Sequence, residues 1–463
     1  MGNLKQLDTI AKANGGNRAF GYPGYAASVE YILSRTQDSS NFRTWVQDFP
    51  ALFNSVDSIK FSVDNTSYHV IGLSYSPSTS AEGLTAPLVL GASGPEGCTN
   101  ESYDGLDVKD KIVLVQRGTC PDGTTLAGRL KPAAAAGAAS VIIYSDVETP
   151  VTGGTLSNPN PQEYVPGGYI NKVDGEALVA RLQAGEEVNA YFQQTQTIET
   201  KITQNIFTET IDGDPTNVIM LGGHLDSVVA GAGINDDGSG SSLVMEVKTA
   251  LEKFSVKNKV RFAWWGAEEN GLLGSKAYVA SLNASARNDI LAYLNFDMVS
   301  RGYFGVFDGD GSTHGLKAPA GSDVIEKIFV ADLTSKGINV TAARFTGGSD
   351  YQSFFNVGKP VGGLHTGTGV EQDACYHQAC DVYGNANATV LTVNAKVSLY
   401  KVGFAILLLT RIQAAAHVLS ILATQGTELI PKSPANATMI ERRDIEWTLE
   451  KEDRHLGTCG HNV

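Results

Sequence analysis

Residues 260–271, VRFAWWGAEENG, are the stretch from which the rest of the chain can be understood. Apolar residues dominate up to Trp265, Gly266 interrupts them, and two adjacent carboxylates follow at Glu268 and Glu269. A buried strand that ends in an acid-bearing turn is typical of an open α/β sheet, which places its chemistry beyond the carboxyl ends of its strands. Taken alone, the pair is more simply explained as a solvated turn, so the other strand ends decide its meaning.

The composition is that of a globular protein large enough for more than one domain. The chain has 463 residues, of which 42% are hydrophobic and 18% charged, and its net charge is −14. This acidity disfavours nucleic acid or an anionic membrane surface as a main partner. The longest apolar run, near residues 402–424, is interrupted by Arg411, Gln413 and His417 and predicts a buried helix, not a membrane span.

The cysteines and glycosylation sequons favour a secretory compartment, either extracellular or vacuolar. The simplest pairing of the five cysteines is Cys98 with Cys120 and Cys375 with Cys380, which leaves Cys459 as an odd thiol. The N-glycosylation sequons begin at Asn65, Asn100, Asn283, Asn339, Asn387 and Asn436. The first residues, MGNLKQLD, lack the apolar core of a signal peptide, so we expect any export segment to be missing from this chain.

Strands alternate with helices along most of the chain, which predicts an α/β fold with a mostly parallel sheet sandwiched by helices. Residues 111–185 form a smaller α/β unit without a cluster of histidines or acids, and the polar, Thr-rich residues 193–204 are predicted to be a linker. The main run is predicted to contain strands at 217–223, 260–266, 290–298 and 360–367 and helices at 239–254, 323–337 and about 388–422, after N-terminal helices at 4–13 and 24–36.

Side chains of the types that bind metal ions lie at or near the ends of several strands of the main run. These side chains are His224 with Asp226, Asp236 and Asp237, Glu268 and Glu269, and Asp297, joined late in the chain by Tyr376 and His377 in CYHQACD. Imidazole and carboxylate ligands suit zinc, and two histidines with three carboxylates suit two ions sharing one carboxylate. One of the adjacent glutamates could then act as general base, and Asp226 could accept the second N–H of His224.

Each of these residues also has an ordinary structural explanation. A single histidine is more often a satisfied core residue, and Asp236 or Asp237 could cap the helix that follows. Phosphate binding by GINDDGSG is a weaker alternative, because its paired aspartates would repel phosphate. The coincidence of all these residues at strand ends predicts a metal site, but spacing alone does not choose between the two aspartates or between the two glutamates.

At these residues the sequence resembles the secreted double-zinc aminopeptidases, including the fungal leucine aminopeptidase and aminopeptidase Y type. The resemblance rests on NGGNRAFGYPGYAASVEYI, GGHLDSVVAGAGINDDGSGS, RFAWWGAEENGLLGSKAYV, YLNFDMVS, GGSDYQSFFNVGKPVGGLHTG and CYHQACD, which lie within 4–36 and 217–385. Residues 111–146 resemble a protease-associated domain. The resemblance implies a split peptidase domain (1–58 and 201–423), an inserted protease-associated domain (59–200) and a polar C-terminal tail (424–463).

The resemblance also implies a role for each site residue. His224 and Asp297 would bind one Zn²⁺, Glu269 and His377 the other, and Asp236 would bridge the two ions. Glu268 would be the general base and Tyr376 would hydrogen-bond the oxyanion. Glu268 and Asp297 would also hold the free α-amino group of a peptide substrate, which restricts cleavage to the N-terminal residue.

One departure from the family pattern concerns substrate positioning. Some bacterial members have an arginine where this chain has Gly348, and Arg344 cannot be assumed to replace it.

The first alternative function is a carboxypeptidase of the glutamate-carboxypeptidase type, which would need a basic pocket that the sequence does not show. The second is a non-catalytic, receptor-like relative, although every matched ligand position is filled here. We expect a monomeric, peptide-cleaving enzyme that acts on apolar N-terminal residues.

Overall fold

The computed structural model describes residues 1–148, 150, 151, 153–395 and 414–432, and it divides the chain into two compact units. The described part of one unit joins Met1–Ala51 to residues 201–395 and 414–432, and the described part of the other lies within Leu52–Thr200. The smaller unit is therefore inserted into the sequence of the larger one. The predictions for Cys459, for residues 396–413 of the last predicted helix and for the tail beyond residue 432 concern residues outside the described ranges.

The helices and strands alternate as the sequence predicts. The helices are α1 (Gly2–Ala13), α2 (Pro23–Thr36), α3 (Ala127–Ala135), α4 (Lys172–Gln183), α5 (Gly238–Leu251), α6 (Leu273–Ser281), α7 (Ala284–Asp289), α8 (Ser322–Ser335), α9 (Tyr351–Phe355), α10 (Ala388–Ala395) and α11 (Ala414–Leu429). The strands are β1 (Phe42–Val63), β2 (Thr66–Tyr68), β3 (Val70–Gly72), β4 (Leu84–Leu90), β5 (Ile112–Gln116), β6 (Ser140–Tyr144), β7 (Gly167–Ile170), β8 (Asn189–Thr210), β9 (Asp214–His224), β10 (Asn258–Trp265), β11 (Ile290–Phe296), β12 (Phe304–Phe307), β13 (Val340–Ala343) and β14 (Val361–His365).

The sheet of the larger unit is mixed but mostly parallel, which confirms the predicted fold class. Its strands follow the order β13, β12, β14, β11, β9, β10 and the last residues of β8. The central strands β14, β11, β9 and β10 are parallel to one another, so their carboxyl ends meet at one edge. Strand β12 is antiparallel to β14, and β8 is antiparallel to β10.

The two tryptophans of the opening stretch show how helices cover both faces of this sheet. Trp264 and Trp265 are both fully buried, and as neighbours in a strand they point to opposite faces. The indole N–H of Trp264 donates to the Ser241 carbonyl of α5 at 3.0 Å. Trp265 instead packs against Tyr278 of α6 and Phe354 of α9, with ring centroids 5.5 and 5.9 Å apart. The run of apolar residues in β10 is therefore explained by burial on both sides.

The smaller unit has its own sheet and its own core. Strands β4, β5, β6 and β7 are parallel in that order, β3 is antiparallel to β7, and the first residues of β8 are antiparallel to β4. Two clusters of buried apolar side chains pack on this sheet, one including Leu130 of α3 and the other including Leu178 of α4. A Cys98–Cys120 disulfide closes the segment that contains β5, as predicted.

Two predictions about connecting segments need correction. Residues 193–204 are not a linker but part of β8, in which their threonines and isoleucines are β-branched residues that favour an extended backbone. Helix α11 continues to Leu429, past the predicted start of the tail at residue 424, because Gly426 and Ile430 are buried. No helix in the described ranges is long and apolar enough to cross a membrane.

Candidate metal centre

The parallel strands bring the predicted ligands to one edge of the sheet. His224 is the last residue of β9 and pairs in register with Trp265, the last residue of β10. Asp297 directly follows β11. The chain leaves β10 through Gly266, where a Cβ atom would lie 2.3 Å from the Tyr25 hydroxyl oxygen, so only glycine fits. Ala267 then adopts a left-handed backbone (φ 54°) that turns the chain toward Glu268 and Glu269.

Asp236 lies between the two histidines. Its Oδ1 atom is 3.1 Å from Nε2 of His224, and its Oδ2 atom is 3.0 Å from Nε2 of His377. The neighbouring Asp237 faces elsewhere: its Oδ1 atom accepts the N–H groups of Gly240 at 2.6 Å and of Met298 at 3.2 Å. Asp237 therefore caps α5, and Asp236 alone offers one oxygen to each histidine.

The remaining predicted ligands form two groups around Asp236. Oε2 of Glu268 and Oδ1 of Asp297 each lie 3.8 Å from Nε2 of His224. Oε2 of Glu269 lies 3.1 Å from Nε2 of His377. The structure thus brings together all five predicted metal ligands and the predicted base, from six separate positions in the sequence.

The carboxylates of this cluster are buried close together, and several of their oxygens lack a hydrogen-bond partner. Glu268 is 2% exposed, and neither of its carboxylate oxygens has a hydrogen-bond partner in the structure. Burial, and then the charge of Glu269, raises the pKa of Glu268 well above its usual value. Burial lowers the pKa of His224, but the charge of Glu268 and the contacts with Asp226 and Asp236 outweigh burial and raise it. Buried acids without partners are costly, and imidazole with carboxylate is a donor set that fits zinc.

Asp226 supports the site differently from the prediction. The Nδ1 atom of His224 is 3.2 Å from the backbone carbonyl oxygen of Asp226 and 3.6 Å from its carboxylate Oδ1. The carboxylate instead accepts the backbone N–H of Glu268 on Oδ1 at 3.1 Å and that of Glu269 on Oδ2 at 3.2 Å. Asp226 therefore fixes the turn that carries both glutamates.

Tyr376 and His377 lie in a loop closed by the predicted Cys375–Cys380 disulfide. The rings of Tyr376 and His377 stack with centroids 3.9 Å apart, and His377 has a left-handed backbone (φ 54°). The structure therefore places the predicted oxyanion donor beside a predicted ligand.

The sequence interpretation missed two residues that hold the Asp236 loop. Asp381 accepts the backbone N–H of Asn235 at 2.8 Å and of Asp236 at 3.1 Å, and burial raises its pKa to about 6. Arg18, fully buried, donates to the carbonyls of Leu225, of Ala232 at 2.9 Å and of Gly233 at 2.6 Å. Both lie in the quoted motifs NGGNRAFGYPG and CYHQACD, which were the available signal.

Comparison with known proteins finds two family profiles and several relatives that match this chain. The sequence profile of Peptidase family M28 matches residues 205–402, and that of the PA domain matches residues 84–178. A protein of Aspergillus fumigatus described as "Probable leucine aminopeptidase 2" is 38% identical over 466 residues, which is 96% of this chain and 86% of the relative. An "Aminopeptidase" of Pseudomonas aeruginosa is 38% identical over 429 residues, covering 85% of this chain and 77% of its own length.

A solved structure also matches the fold of this chain. The structure of BSAP, a zinc aminopeptidase from Bacillus subtilis, matches with a TM-score of 0.67 and 25% identity, covering 84% of this chain and 91% of that one. Sequence, fold and the donor set of the site therefore agree. The chain belongs to peptidase family M28, carries a PA domain, and is a zinc metallo-aminopeptidase.

Proposed function

We propose that the protein is a di-zinc aminopeptidase that releases apolar N-terminal residues, such as leucine, from peptides. The observation that carries this proposal is Asp236, whose two oxygens face different histidines at 3.1 and 3.0 Å. A carboxylate in that position can be shared by two ions, which is the arrangement of two-metal hydrolases. His224 and Asp297 would hold one ion, and Glu269 and His377 the other.

The bound zinc ions would polarise the scissile carbonyl and lower the pKa of the attacking water. Glu268 would take the proton from that water and deliver it to the leaving amine. Its burial and its unpartnered oxygens suit this role, because a raised carboxyl pKa brings a general base closer to the pH at which it works. Tyr376 would donate a hydrogen bond to the oxyanion of the tetrahedral intermediate.

Recognition of a free amino terminus would depend on negative charge. The carboxylates of Glu268 and Asp297 both approach His224 at 3.8 Å and would hold the substrate ammonium group. A carboxypeptidase would need a cation for the terminal carboxylate, whereas the buried guanidinium of Arg18 is engaged by backbone carbonyls.

The preference for apolar residues is supported by relatives described as leucine aminopeptidase 2. We also expect a monomer in an oxidising, secretory compartment, in keeping with the two disulfides.

The test is hydrolysis of a leucyl chromogenic amide, with its N-acetylated form as the control, before and after removal of zinc by a chelator. We expect rapid cleavage of the free-amine substrate only, loss of activity on chelation and recovery on addition of Zn²⁺. Activity that survives complete removal of metal, or equal cleavage of the acetylated substrate, would refute the proposal. Preferential release of a C-terminal residue from a peptide would favour the carboxypeptidase alternative.

A further inference from the structure

A second cluster of acids lies away from the candidate metal centre. Asp308, Asp310 and Glu326 each offer a carboxylate oxygen within 4.8 Å of the others. Asp308 directly follows β12, which is antiparallel to β14, with Val306 opposite Leu364. The carboxyl end of β12 therefore points to the edge opposite that of β14, β11, β9 and β10. The cluster belongs to the larger unit but is not part of its candidate metal centre.

One carboxylate oxygen of Asp308 accepts hydrogen bonds from the loop, and the other has no partner. Its Oδ2 atom accepts the backbone N–H of Thr313 at 3.1 Å and of His314 at 2.7 Å. Its Oδ1 atom has no hydrogen-bond partner, although the residue is only 1% exposed. Because Oδ2 is engaged by the loop, Oδ1 is the oxygen available to face the other two acids. A buried carboxylate oxygen in this position is costly unless a cation satisfies it.

The other two acids are positioned by the backbone. The N–H of Asp310 donates to Oε2 of Glu326 at 3.0 Å, and Oδ1 of Asp310 accepts the N–H of Ser312 at 2.8 Å. Gly309 lets the loop approach the start of α8, because a Cβ atom there would lie 2.3 Å from the Ser322 carbonyl oxygen. The close approach of loop and helix brings the acid of α8 to the two acids of the loop.

The nearby basic and imidazole groups are engaged elsewhere. Lys327, next to Glu326 in sequence, forms an ion pair with Asp323 at 2.8 Å. The His314 ring nitrogen Nε2 lies 3.1 Å from the Ala342 carbonyl oxygen. Burial, and after it the charges of Asp310 and Asp308, raise the pKa of Glu326. Hydrogen bonds from Ser312, and then the charge of Lys327, lower the pKa of Asp310. The oxygen left without a hydrogen-bond partner is Oδ1 of Asp308, and the possible ligand atoms of the cluster are carboxylate oxygens alone.

We propose that Asp308, Asp310 and Glu326 bind one Ca²⁺ ion, which ties the loop after β12 to α8. An all-oxygen donor set selects a hard cation over zinc. Ca²⁺ accepts irregular sets of carboxylates from a loop and a helix, whereas Mg²⁺ demands near-octahedral geometry and keeps much of its water. Because the ion binds the folded loop, it stabilises the protein, and because it lies at the opposite edge of the sheet, it leaves peptide hydrolysis unchanged.

The test is calorimetric titration of the zinc-loaded full chain with Ca²⁺ after treatment with a calcium-chelating resin and zinc repletion. We expect about one Ca²⁺ per chain, with a dissociation constant of roughly 10⁻⁴–10⁻³ M or tighter, and a higher melting temperature in its presence. Asp308→Asn and Glu326→Gln should weaken binding at least about tenfold with unchanged zinc content. Asp332→Asn is the matched control, since it removes a carboxylate of the same helix that lies outside the cluster and pairs with Lys336.

Several results would overturn the calcium proposal. The wild type takes up no Ca²⁺, both cluster variants bind Ca²⁺ as tightly as the wild type does, or the protein binds Mg²⁺ in preference to Ca²⁺. If Asp308→Asn does not fold, the half-buried Glu326→Gln decides the question alone. Failure here would leave the proposed peptidase function untouched, because its residues and its metal are different.

Discussion

The two units of the chain differ in where they keep their charges. In Leu52–Thr200 the acids pair with basic residues near the surface, as Arg181 does with Asp64 at 2.6 Å and Lys172 with Glu148 at 2.7 Å. Among the described residues of that unit, the buried side-chain oxygens that lack a hydrogen-bond partner belong to Tyr103 and Gln194, and neither is a carboxylate oxygen. The larger unit instead buries unpartnered carboxylate oxygens of Glu268, Glu269 and Asp297 in one place.

The two units therefore differ in the partners of their acids, whatever the number of acids in each. Paired surface charges contribute little to stability and need no further explanation. Unpaired buried carboxylates are costly, so a fold retains them where a cation or a reaction uses them. We therefore expect that loss of a single unpaired carboxyl group in the larger unit lowers its metal content. Loss of a carboxyl group in the smaller unit should change only its stability.

The largest effect is expected at Asp236. Asp236→Asn should lose most bound zinc and reduce kcat/KM for the leucyl amide by at least about 10³-fold, because the shared carboxylate disappears. Asp237→Asn is the matched control next to it. Its Oδ1 keeps the bonds to Gly240 and Met298, and burial together with Asp297 already raises the pKa of Asp237 well above its usual value. Equal zinc loss in both variants, measured by elemental analysis, would remove the distinction.

A smaller effect is expected at Asp226. In Asp226→Asn one of the two acceptor oxygens becomes an NH₂ group, which cannot accept the N–H of Glu268 or Glu269. The glutamate turn should loosen, and zinc affinity should fall about 10–100-fold, as for other groups that orient ligands. Competition with a chelator measures this affinity. Unchanged affinity would mean that the turn holds its shape without Asp226.

The two disulfides allow a direct comparison of the units. Serine at Cys98 and Cys120, which are 22 residues apart, should lower the free energy of unfolding by about 3 kcal/mol and leave zinc content unchanged. Serine at Cys375 and Cys380 should instead lower zinc occupancy, because that loop carries His377. Denaturant unfolding and elemental analysis measure the two effects. Zinc loss from the first pair, or none from the second, would contradict this division.

The smallest effect expected is a pH dependence of the metal-free protein. Burial raises the pKa of Asp350 to about 7 and that of Asp381 to about 6. A carboxyl group whose pKa is raised on folding stabilises the fold at low pH, and that stability is lost as pH rises through the folded pKa. The melting temperature of the metal-free protein should therefore rise as pH falls from about 8 to about 5. Asp381→Asn should flatten the curve, and an opposite slope in the metal-free wild type would refute the assignment.

Much of the fold and of the candidate site could be predicted because the signal was local. The apolar run up to Trp265 and the acids after it lie within one short segment, and so do β9 with His224 and β11 with Asp297. Parallel strands then bring these ends together without further information. The same reasoning predicted helices on both faces of the sheet.

The rest could not be predicted because it depends on contacts between distant residues. The bond from Glu268 to Asp226 joins positions 42 apart, and that from Arg18 to Ala232 joins positions 214 apart. Residues 193–204 looked like a linker because their polarity hides a strand whose pairing partners are far away in sequence. The choice of Asp236 over Asp237 came from family resemblance, and the geometry that supports it depends on His377, which is far away in sequence.

The central claim is that two adjacent glutamates have different roles, and one measurement tests it most directly. Glu268→Gln and Glu269→Gln are prepared in parallel, and zinc content and hydrolysis of the leucyl amide are measured on each. We predict that Glu268→Gln keeps its zinc and loses about 10²–10⁴-fold in kcat, as expected for loss of a general base, whereas Glu269→Gln loses zinc. Zinc loss from Glu268→Gln with retention in Glu269→Gln would contradict the assignment and interchange the two roles.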